Sequence, residues 1–343
     1  MLNTVLTTNE SLPEFVSVVI PCYNEEQFIG KTLENLVSQY DSSRYEIIIV
    51  DGMSTDRTRE VINQFQRARP MISVRILDNP ARKIPTALNI GVGAARGEIV
   101  ARMDAHAAPS PGYVRRCVAL LAGNHNGVVG APCDVRPAAN TLMARAIAAA
   151  VSNRFGIGDA QYRLQDGKVG QESVDTVAFS CFRKALWKSL GGFNEELLAN
   201  EDYDFNYRVR VSGGSVLLDR VEHCDYFARA TLGGLAKQYF RYGQWKARML
   251  KLHPRSIRWR HVVAPIFVVS ILVLGLTGIF WSPALWFLSL EVAIYFALAL
   301  LFGRQRGRGV LDGLALTLLM PVVFLTIHLA WGISFFWGLM SDE

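Results

Sequence analysis

The chain has 343 residues, half of them hydrophobic, with 36 Lys and Arg against 30 Asp and Glu for a formal net charge of +6. That length accommodates one large domain or two smaller ones with ample core. The positive excess is concentrated in one stretch and no nucleic-acid recognition motif accompanies it, which disfavours nucleic acid as a partner.

In chain order, Phe15 to Ile20 is a β-branched apolar run ended by Pro21, and Ile29, Leu33, Leu36 and Val37 recur at helical spacing within Glu26 to Tyr40. Glu46 to Val50 reads as a second strand, halted at Asp51-Gly52, after which Thr55-Asp56 caps a helix running to about Arg67. A third strand, Ile72 to Leu77, leads to a helix over Pro85 to Arg96 that Gly97 closes. The fourth strand, from Ile99, delivers Asp104 and His106; continued extension would put both on one face, with Ala105 pointing away. A carboxylate and a neutral imidazole suit Mg²⁺ or Mn²⁺.

Alternating strands and helices predict a doubly wound, mostly parallel sheet with its ligand at the carboxyl ends of the strands. Polar residues collect at those ends: Asn24, Glu25 and Glu26, then Asp51, Ser54 and Asp56, then Arg82 and Lys83, then Asp104 and His106. Carboxylates and an amide suit a nucleobase and ribose, a lysine suits a phosphate, and D-x-H suits a metal bridging phosphates. The sequence contains no G-x-G-x-x-G after the first strand and no P-loop, which disfavours dinucleotide binding and P-loop hydrolysis.

Further along, Thr141 to Asn153 predicts a helix, Gln161 to Ser173 a mobile loop, and Asp175 to Phe182 another strand. Gly191-Gly192-Phe193 marks a turn, and Asn200 is placed as the N-cap of a helix carrying Glu201 and Asp202 in its first turn. Acids are favoured there by the macrodipole, but a carboxylate fixed on a helix start can also act as a general base. Five cysteines show no metal-like spacing and read as packing residues of a reducing compartment.

Arg229 to Arg260 holds nine Lys and Arg and no acid, which reads as attraction to anionic lipid headgroups. Three apolar runs follow, Val262 to Phe280, Ala284 to Phe302 and Gly313 to Met340, each near or above the ~20 residues that span a bilayer. Arg255, Arg258 and Arg260 before the first run, and Arg304, Arg306 and Arg308 between the second and third, put the N-terminal part in the cytoplasm and the tail Ser341-Asp342-Glu343 outside. The mixed polar N-terminus does not read as a signal peptide.

Taken in order, Pro21-Cys22-Tyr23-Asn24-Glu25-Glu26, Asp51-Gly52-Met53-Ser54-Thr55-Asp56, Asp104-Ala105-His106, Gly191-Gly192-Phe193 and Glu201-Asp202 resemble family 2 glycosyltransferases of GT-A fold over residues 15 to 215. The D-x-H variant is similar to membrane-anchored enzymes of succinoglycan-type exopolysaccharide assembly. Gln238-Tyr239-Phe240-Arg241-Tyr242 resembles the Q-x-x-R-W element of processive synthases, with Tyr242 in place of Trp. The resemblance implies a UDP-sugar donor, UDP-glucose in particular, and inversion in one displacement. It implies Asp202 as base, Glu201 on acceptor or sugar hydroxyls, and Mg²⁺ or Mn²⁺ at Asp104 and His106. By the same similarity Asp51 takes uracil or ribose with Pro21, Tyr23 and Glu25 lining that end, Lys83 neutralises a phosphate, and Gln238 and Arg241 either cover the diphosphate or contact headgroups.

The expected organisation is a cytoplasmic GT-A domain over 1–228, a basic interfacial segment over 229–261 and an inner-membrane anchor over 262–343. The expected acceptor is a polyprenyl-diphosphate-linked saccharide. Two alternatives stand beside it: transfer to polyprenyl phosphate itself, and a non-catalytic membrane scaffold.

Overall fold

The computed structural model describes residues 14–164, 166–305 and 307–341; Arg306, Asp342 and Glu343, used above for orientation, lie outside them. The first half alternates strand and helix: β1 (Val16–Cys22), α1 (Ile29–Leu36), β2 (Tyr45–Asp51), α2 (Thr58–Ala68), β3 (Ser73–Asp78), α3 (Ile84–Ala94) and β4 (Ile99–Arg102). Then come β5 (Ala108–Pro109), α4 (Tyr113–Ala122), β6 (Gly127–Gly130), β7 (Cys133–Pro137), α5 (Leu142–Ala150), α6 (Arg154–Ile157), β8 (Gln171–Ser173), β9 (Cys181–Arg183) and α7 (Lys184–Ser189). The chain continues through α8 (Glu201–Val211), β10 (Ser215–Asp219), β11 (Cys224–Ala228), α9 (Leu232–Leu252), α10 (Trp259–Gly278), α11 (Pro283–Phe302) and α12 (Val310–Met340).

Among the described residues the main sheet has the order β3-β2-β1-β4-β9-β6-β10-β8, and β5-β11-β7 form a smaller one. The β3-β2-β1-β4 half is parallel, while β9 runs antiparallel between β4 and β6. Strands buried on both faces have no polar side to alternate with, hence the continuous apolar runs of β1 and β2. One sheet face packs against α1 and α4, through Leu33, Leu36, Tyr113 and Val118. The other packs against α3, α7 and α8, through Leu88, Leu186 and Phe205.

Several elements are shorter than the sequence predicts, and each time side chains have claimed the backbone. The Asn24–Phe28 stretch is tied to the next loop, Asn24 Oδ1 accepting from the Thr55 N–H at 2.8 Å and the Glu25 N–H donating to Thr58 Oγ1 at 2.7 Å, so α1 starts late. Asp56 Oδ1 accepts from the Thr58 N–H, so α2 begins at Thr58. Of the strand expected over Asp175 to Phe182, only its end pairs: the Val177 carbonyl accepts from Asn206 Nδ2 at 3.1 Å and the Phe179 carbonyl from the Tyr113 hydroxyl at 2.6 Å. The helix expected over Thr141 to Asn153 is α5, capped by Thr141 and ending at Ala150, and a separate short helix, α6, capped by Asn153, follows it. Gly192 sits at φ +80°, and a Cβ there would lie 2.8 Å from Asn89 Oδ1.

Three helices, Trp259–Gly278, Pro283–Phe302 and Val310–Met340, are long and apolar enough to cross a membrane. They do not hang free of the sheet domain. The α9 helix runs along α12 so closely that a Cβ on Gly243 would fall 2.3 Å from Ser334 Oγ. Arg145 on α5 donates two hydrogen bonds to Asp312 at the start of α12, at 2.8 and 2.6 Å, and Asn153 Nδ2 donates to the Phe302 carbonyl at 2.8 Å. A shared apolar cluster joins Ile147 and Leu235 to Met320 and Phe324.

The opposite edge of the sheet is pinned by Glu46, a fully buried carboxylate on β2. It accepts from Ser17 Oγ on β1 at 2.7 Å and from the Arg96 backbone and side chain at 2.7 and 3.0 Å, and Arg75 of β3 lies 3.3 Å away. Burial pushes this carboxyl upward, but the Ser17 and Arg96 hydrogen bonds and the Arg75 charge hold it below its ordinary value of 4.5. The lowered value means its contribution is present above the unfolded carboxyl range and is lost as pH falls through the folded one. Glu46→Ala is expected to cost about 2 kcal/mol at pH 7 and progressively less in acid, checked by denaturant unfolding across pH.

Candidate active site

The strand-end loops carry the backbone conformations that L-residues avoid. Among the described residues, the non-glycine positions of positive φ are Asn24, Met53, Arg82, Phe179 and Asn200. Asn24, Met53 and Arg82 follow β1, β2 and β3; Phe179 and Asn200 line a cavity of about 440 Å³ beside them. Such strain persists where surrounding contacts fix it, and it gathers at functional sites.

Asp104, His106, Glu201, Asp202, Gln238 and Arg241 all line this cavity. The local geometry at Asp104 departs from expectation: β4 ends at Arg102, and Asp104 to Ala107 form a turn closed by the Ala107 N–H on the Asp104 carbonyl at 3.0 Å. Thr32 on α1 clamps that turn, donating to the Ala105 and Ala107 carbonyls. Asp104 and His106 therefore reach the cavity from a turn and not along one face of an extended strand. Glu25 lies 3.1 Å from His106 Nδ1, and this hydrogen bond, against the opposing effect of burial, raises the imidazole's pKa. Holding Nδ1 leaves Nε2 as the ring's ligand atom, the arrangement in which an outer carboxylate orients a metal-binding histidine. An oxygen and an imidazole donor on a cavity wall fit a divalent cation with room left for substrate oxygens.

The largest departure from sequence expectation is Arg102, whose buried guanidinium donates to Glu201 Oε1 at 2.8 Å and lies 3.6 Å from Asp104 Oδ1. It joins the end of β4 to the start of α8. Its Nε and Nη1 are buried with no hydrogen-bond partner among the described residues. Burial raises the Glu201 carboxyl despite the Arg102 charge, with Asp202 adding to the rise. An arginine inside an otherwise apolar strand was the signal available. Asn200 does occupy the N-cap position of α8, but its side chain makes no capping hydrogen bond: the residue is left-handed, φ 65°, and its side chain donates to the Tyr242 carbonyl at 3.4 Å. Asp202 instead accepts from the adjacent Tyr203 N–H at 2.7 Å.

Pro21, Tyr23, Glu25, Asp51 and Lys83 lie outside the cavity wall. Asp51 is fully buried, bound by Ser54 and paired with Arg59 at 2.6 Å. Tyr23 is exposed and carries the Arg82 guanidinium 5.5 Å above its ring. Lys83 starts α3 with its side chain in solvent, next to Ile84, which does line the cavity. Gln238 Nε2 donates to the hydroxyls of Tyr226 and Tyr242 at 2.8 and 3.0 Å, while Arg241 is exposed. A second group of possible ligands, Asp134, His223 and Asp225, lies apart on the small sheet, where Arg136 pairs with both carboxylates.

The cavity does not stop at the sheet domain. Its wall continues through α6 to Val263 and Ala264 on α10 and Ile327, His328 and Trp331 on α12. Lys246 of α9 and Tyr203 of α8 stand between the two ends, with Tyr203 edge-on to His261 and His261 over Trp331.

Comparison with known proteins matches residues 17–190 to the family described as glycosyl transferase family 2. The succinoglycan biosynthesis protein ExoA of Rhizobium meliloti (strain 1021) is 29% identical over 346 residues, covering 100% of this chain and 98% of that protein. A dolichyl N-acetyl-alpha-D-glucosaminyl phosphate 3-beta-D-2,3-diacetamido-2,3-dideoxy-beta-D-glucuronosyltransferase of Methanococcus voltae is 26% identical over 268 residues, 76% of this chain and 82% of that one. Among solved structures, the mannosyltransferase PcManGT of Pyrobaculum calidifontis, in complex with GDP-Man and Mn²⁺, shares the fold with a TM-score of 0.63 at 20% identity, covering 96% of this chain and 88% of that one. With the strand-end motifs, the GT-A-like sheet and the family match in agreement, the chain belongs to glycosyl transferase family 2: it is a nucleotide-sugar-dependent glycosyltransferase whose sheet domain is followed by three membrane-length helices.

Proposed function

We propose that the chain is an inverting, metal-dependent glycosyltransferase that moves a sugar, glucose from UDP-glucose, onto a polyprenyl-diphosphate-linked saccharide in exopolysaccharide or cell-envelope synthesis at the cytoplasmic face of the inner membrane. The observation that carries this reading is the single cavity shared by Asp104, His106, Glu201 and Asp202 and by two membrane-length helices. A soluble acceptor gives no reason for a reaction chamber walled by such helices. The name of the Rhizobium relative supports a role in exopolysaccharide synthesis, and the dolichyl phosphate in the name of the Methanococcus one supports a lipid-linked acceptor.

The chemistry needs an acceptor hydroxyl to lose a proton as the sugar–phosphate bond breaks. Asp202, at the first turn of a rigid helix, takes that proton. Glu201, held by Arg102, orients sugar hydroxyls. Arg102 adds fixed positive charge beside Asp104, toward the departing diphosphate. Asp104 and His106 would hold Mg²⁺ or Mn²⁺, which when bound supplies Lewis-acid neutralisation of that diphosphate. Glu25 keeps the His106 ring oriented, and Gln238 and Arg241 border the same space. Asp51, Pro21 and Tyr23 form the nucleoside end, and Lys83 lies at its rim. On this reading 1–228 is the catalytic domain, 229–261 a basic interfacial segment and 262–343 the anchor.

Asp202→Asn is expected to lower kcat by about 10²- to 10⁴-fold with donor affinity kept, measured as transfer and as donor binding. Near-normal turnover in this variant would point instead to a phosphate nucleophile, which needs no strong base, and so to transfer onto polyprenyl phosphate. Asp104→Ala is expected to abolish metal-dependent UDP-sugar binding in calorimetry; unchanged affinity would remove Asp104 from the metal site. Because the His106 imidazole has a raised pKa, protons compete with the cation, so metal-dependent donor binding is expected to weaken as pH falls through that raised value.

A further inference from the structure

Lys246 is a cation the donor chemistry does not use. It is only 2% exposed, midway along α9, on the wall of the reaction cavity. Its ammonium sits 3.2 Å from the centroid of the Tyr203 ring and 3.7 Å from Met249 Sδ. Among the described residues no carboxylate pairs with it. The other buried cations of the wall are accounted for differently: Arg102 pairs with Glu201, Arg260 with Asp159 and Asp175, and Arg163 lies over the rings of Tyr162 and Tyr226. Asp202, Asp175 and Asp204 act on this ammonium only from beyond contact distance, and a buried ammonium without a contacting counter-charge is costly, so the site suits an anion that arrives with a ligand. Burial and the nearby Arg260 charge push this amine down to about 7 against the weaker pull of Asp202, Asp175 and Asp204, so a bound anion in contact would restore its full charge.

Position distinguishes two anions, the donor's diphosphate and an acceptor's phosphate. Arg229 is the wall cation whose charge bears on His106, at the donor end. Lys246 stands between that end and the apolar one, next to Tyr203, which leads by ring contacts to His261 and Trp331. Beyond them the cavity is bordered by half-exposed Val263 and Trp259 on α10, apolar side chains where a hydrocarbon can leave the cavity for a bilayer.

We propose that Lys246 seats the phosphate of a long-chain lipid phosphate or diphosphate acceptor, with the lipid chain leaving along α10 past Val263 and Trp259. This rests on the lipid-linked acceptor proposed above, and it makes Lys246 an acceptor-specificity residue distinct from the donor site. The Tyr203 ring holds the ammonium in place until the phosphate arrives, and it ties the seat to the helix that carries Asp202.

The test compares full-length wild type and Lys246→Met in lipid nanodiscs, titrated separately with undecaprenyl phosphate, undecaprenyl diphosphate, undecaprenol, inorganic pyrophosphate and UDP-glucose. Loss of one charge-assisted contact is expected to weaken both phosphorylated lipids at least about tenfold, with undecaprenol and UDP-glucose affinities unchanged. Pyrophosphate alone is expected to bind far more weakly than either phosphorylated lipid. Equal lipid-phosphate affinity in the two proteins would overturn the assignment while leaving the proposed reaction standing, provided wild type still transfers sugar to a lipid-linked saccharide. A UDP-glucose affinity that falls by the same factor would move Lys246 to the donor and overturn it too. Wild type that binds no phosphorylated lipid and transfers to none would overturn both this inference and the acceptor class. If the Met variant does not fold, wild type photolabelled with a diazirine-bearing polyprenyl phosphate decides: label on peptides carrying Lys246, Tyr203 or Val263 supports the seat, and label confined to α11 overturns it.

Discussion

A single buried guanidinium holds the two halves of the reaction chamber in register. Arg102 ends β4, donates to Glu201 at the start of α8 and lies beside Asp104, so the turn that presents Asp104 and His106 cannot move independently of the helix that presents Asp202. Removing one partner of the buried Arg102–Glu201 pair leaves an uncompensated charge, a cost of about 3–5 kcal/mol. The strained strand-end loops, the Thr32 clamp and the Glu25–His106 contact then add local precision to a frame that Arg102 has already fixed.

The second constraint is that the sheet domain and the long apolar helices are one packed body, not a catalytic unit on a tether. Arg145 and Asp312, Asn153 and the Phe302 carbonyl, and the close approach at Gly243 join them on several sides. The cavity can pass from acidic residues to apolar ones only because α6, α9, α10 and α12 together form its wall. For chemistry between a polar nucleotide sugar and a lipid-borne acceptor, such a wall lets each substrate keep its preferred surroundings until the reacting groups meet.

The alternating strands and helices of the first hundred residues were legible because parallel strands buried on both faces leave continuous apolar runs, and the three long helices because a bilayer demands length without charge. The ordered motifs likewise led to the family. What sequence periodicity could not show was backbone diverted by side chains: the Val177 and Phe179 carbonyls taken by Asn206 and Tyr113, Asn200 left-handed beside Tyr242, and Asp104 to Ala107 folded into a turn. Arg102 and Lys246 were missed for a related reason, since each is a charge inside an otherwise ordinary element whose meaning depends on a partner distant in sequence. The basic stretch over Arg229 to Arg260 reads from sequence as a lipid-facing surface, yet α9 within it buries Tyr239, Trp245 and Lys246 against the protein.

Transfer of labelled sugar from a panel of nucleotide sugars by the full-length chain in membranes, with Mg²⁺, Mn²⁺ or chelator, offered extracted lipid-linked saccharides and bare polyprenyl phosphate side by side, tests most directly whether the shared cavity serves a membrane-borne saccharide. Metal-dependent label on the lipid-linked saccharide, with glucose the sugar transferred, is the expected result. Label appearing only on bare polyprenyl phosphate, or only on water-soluble acceptors, would contradict it.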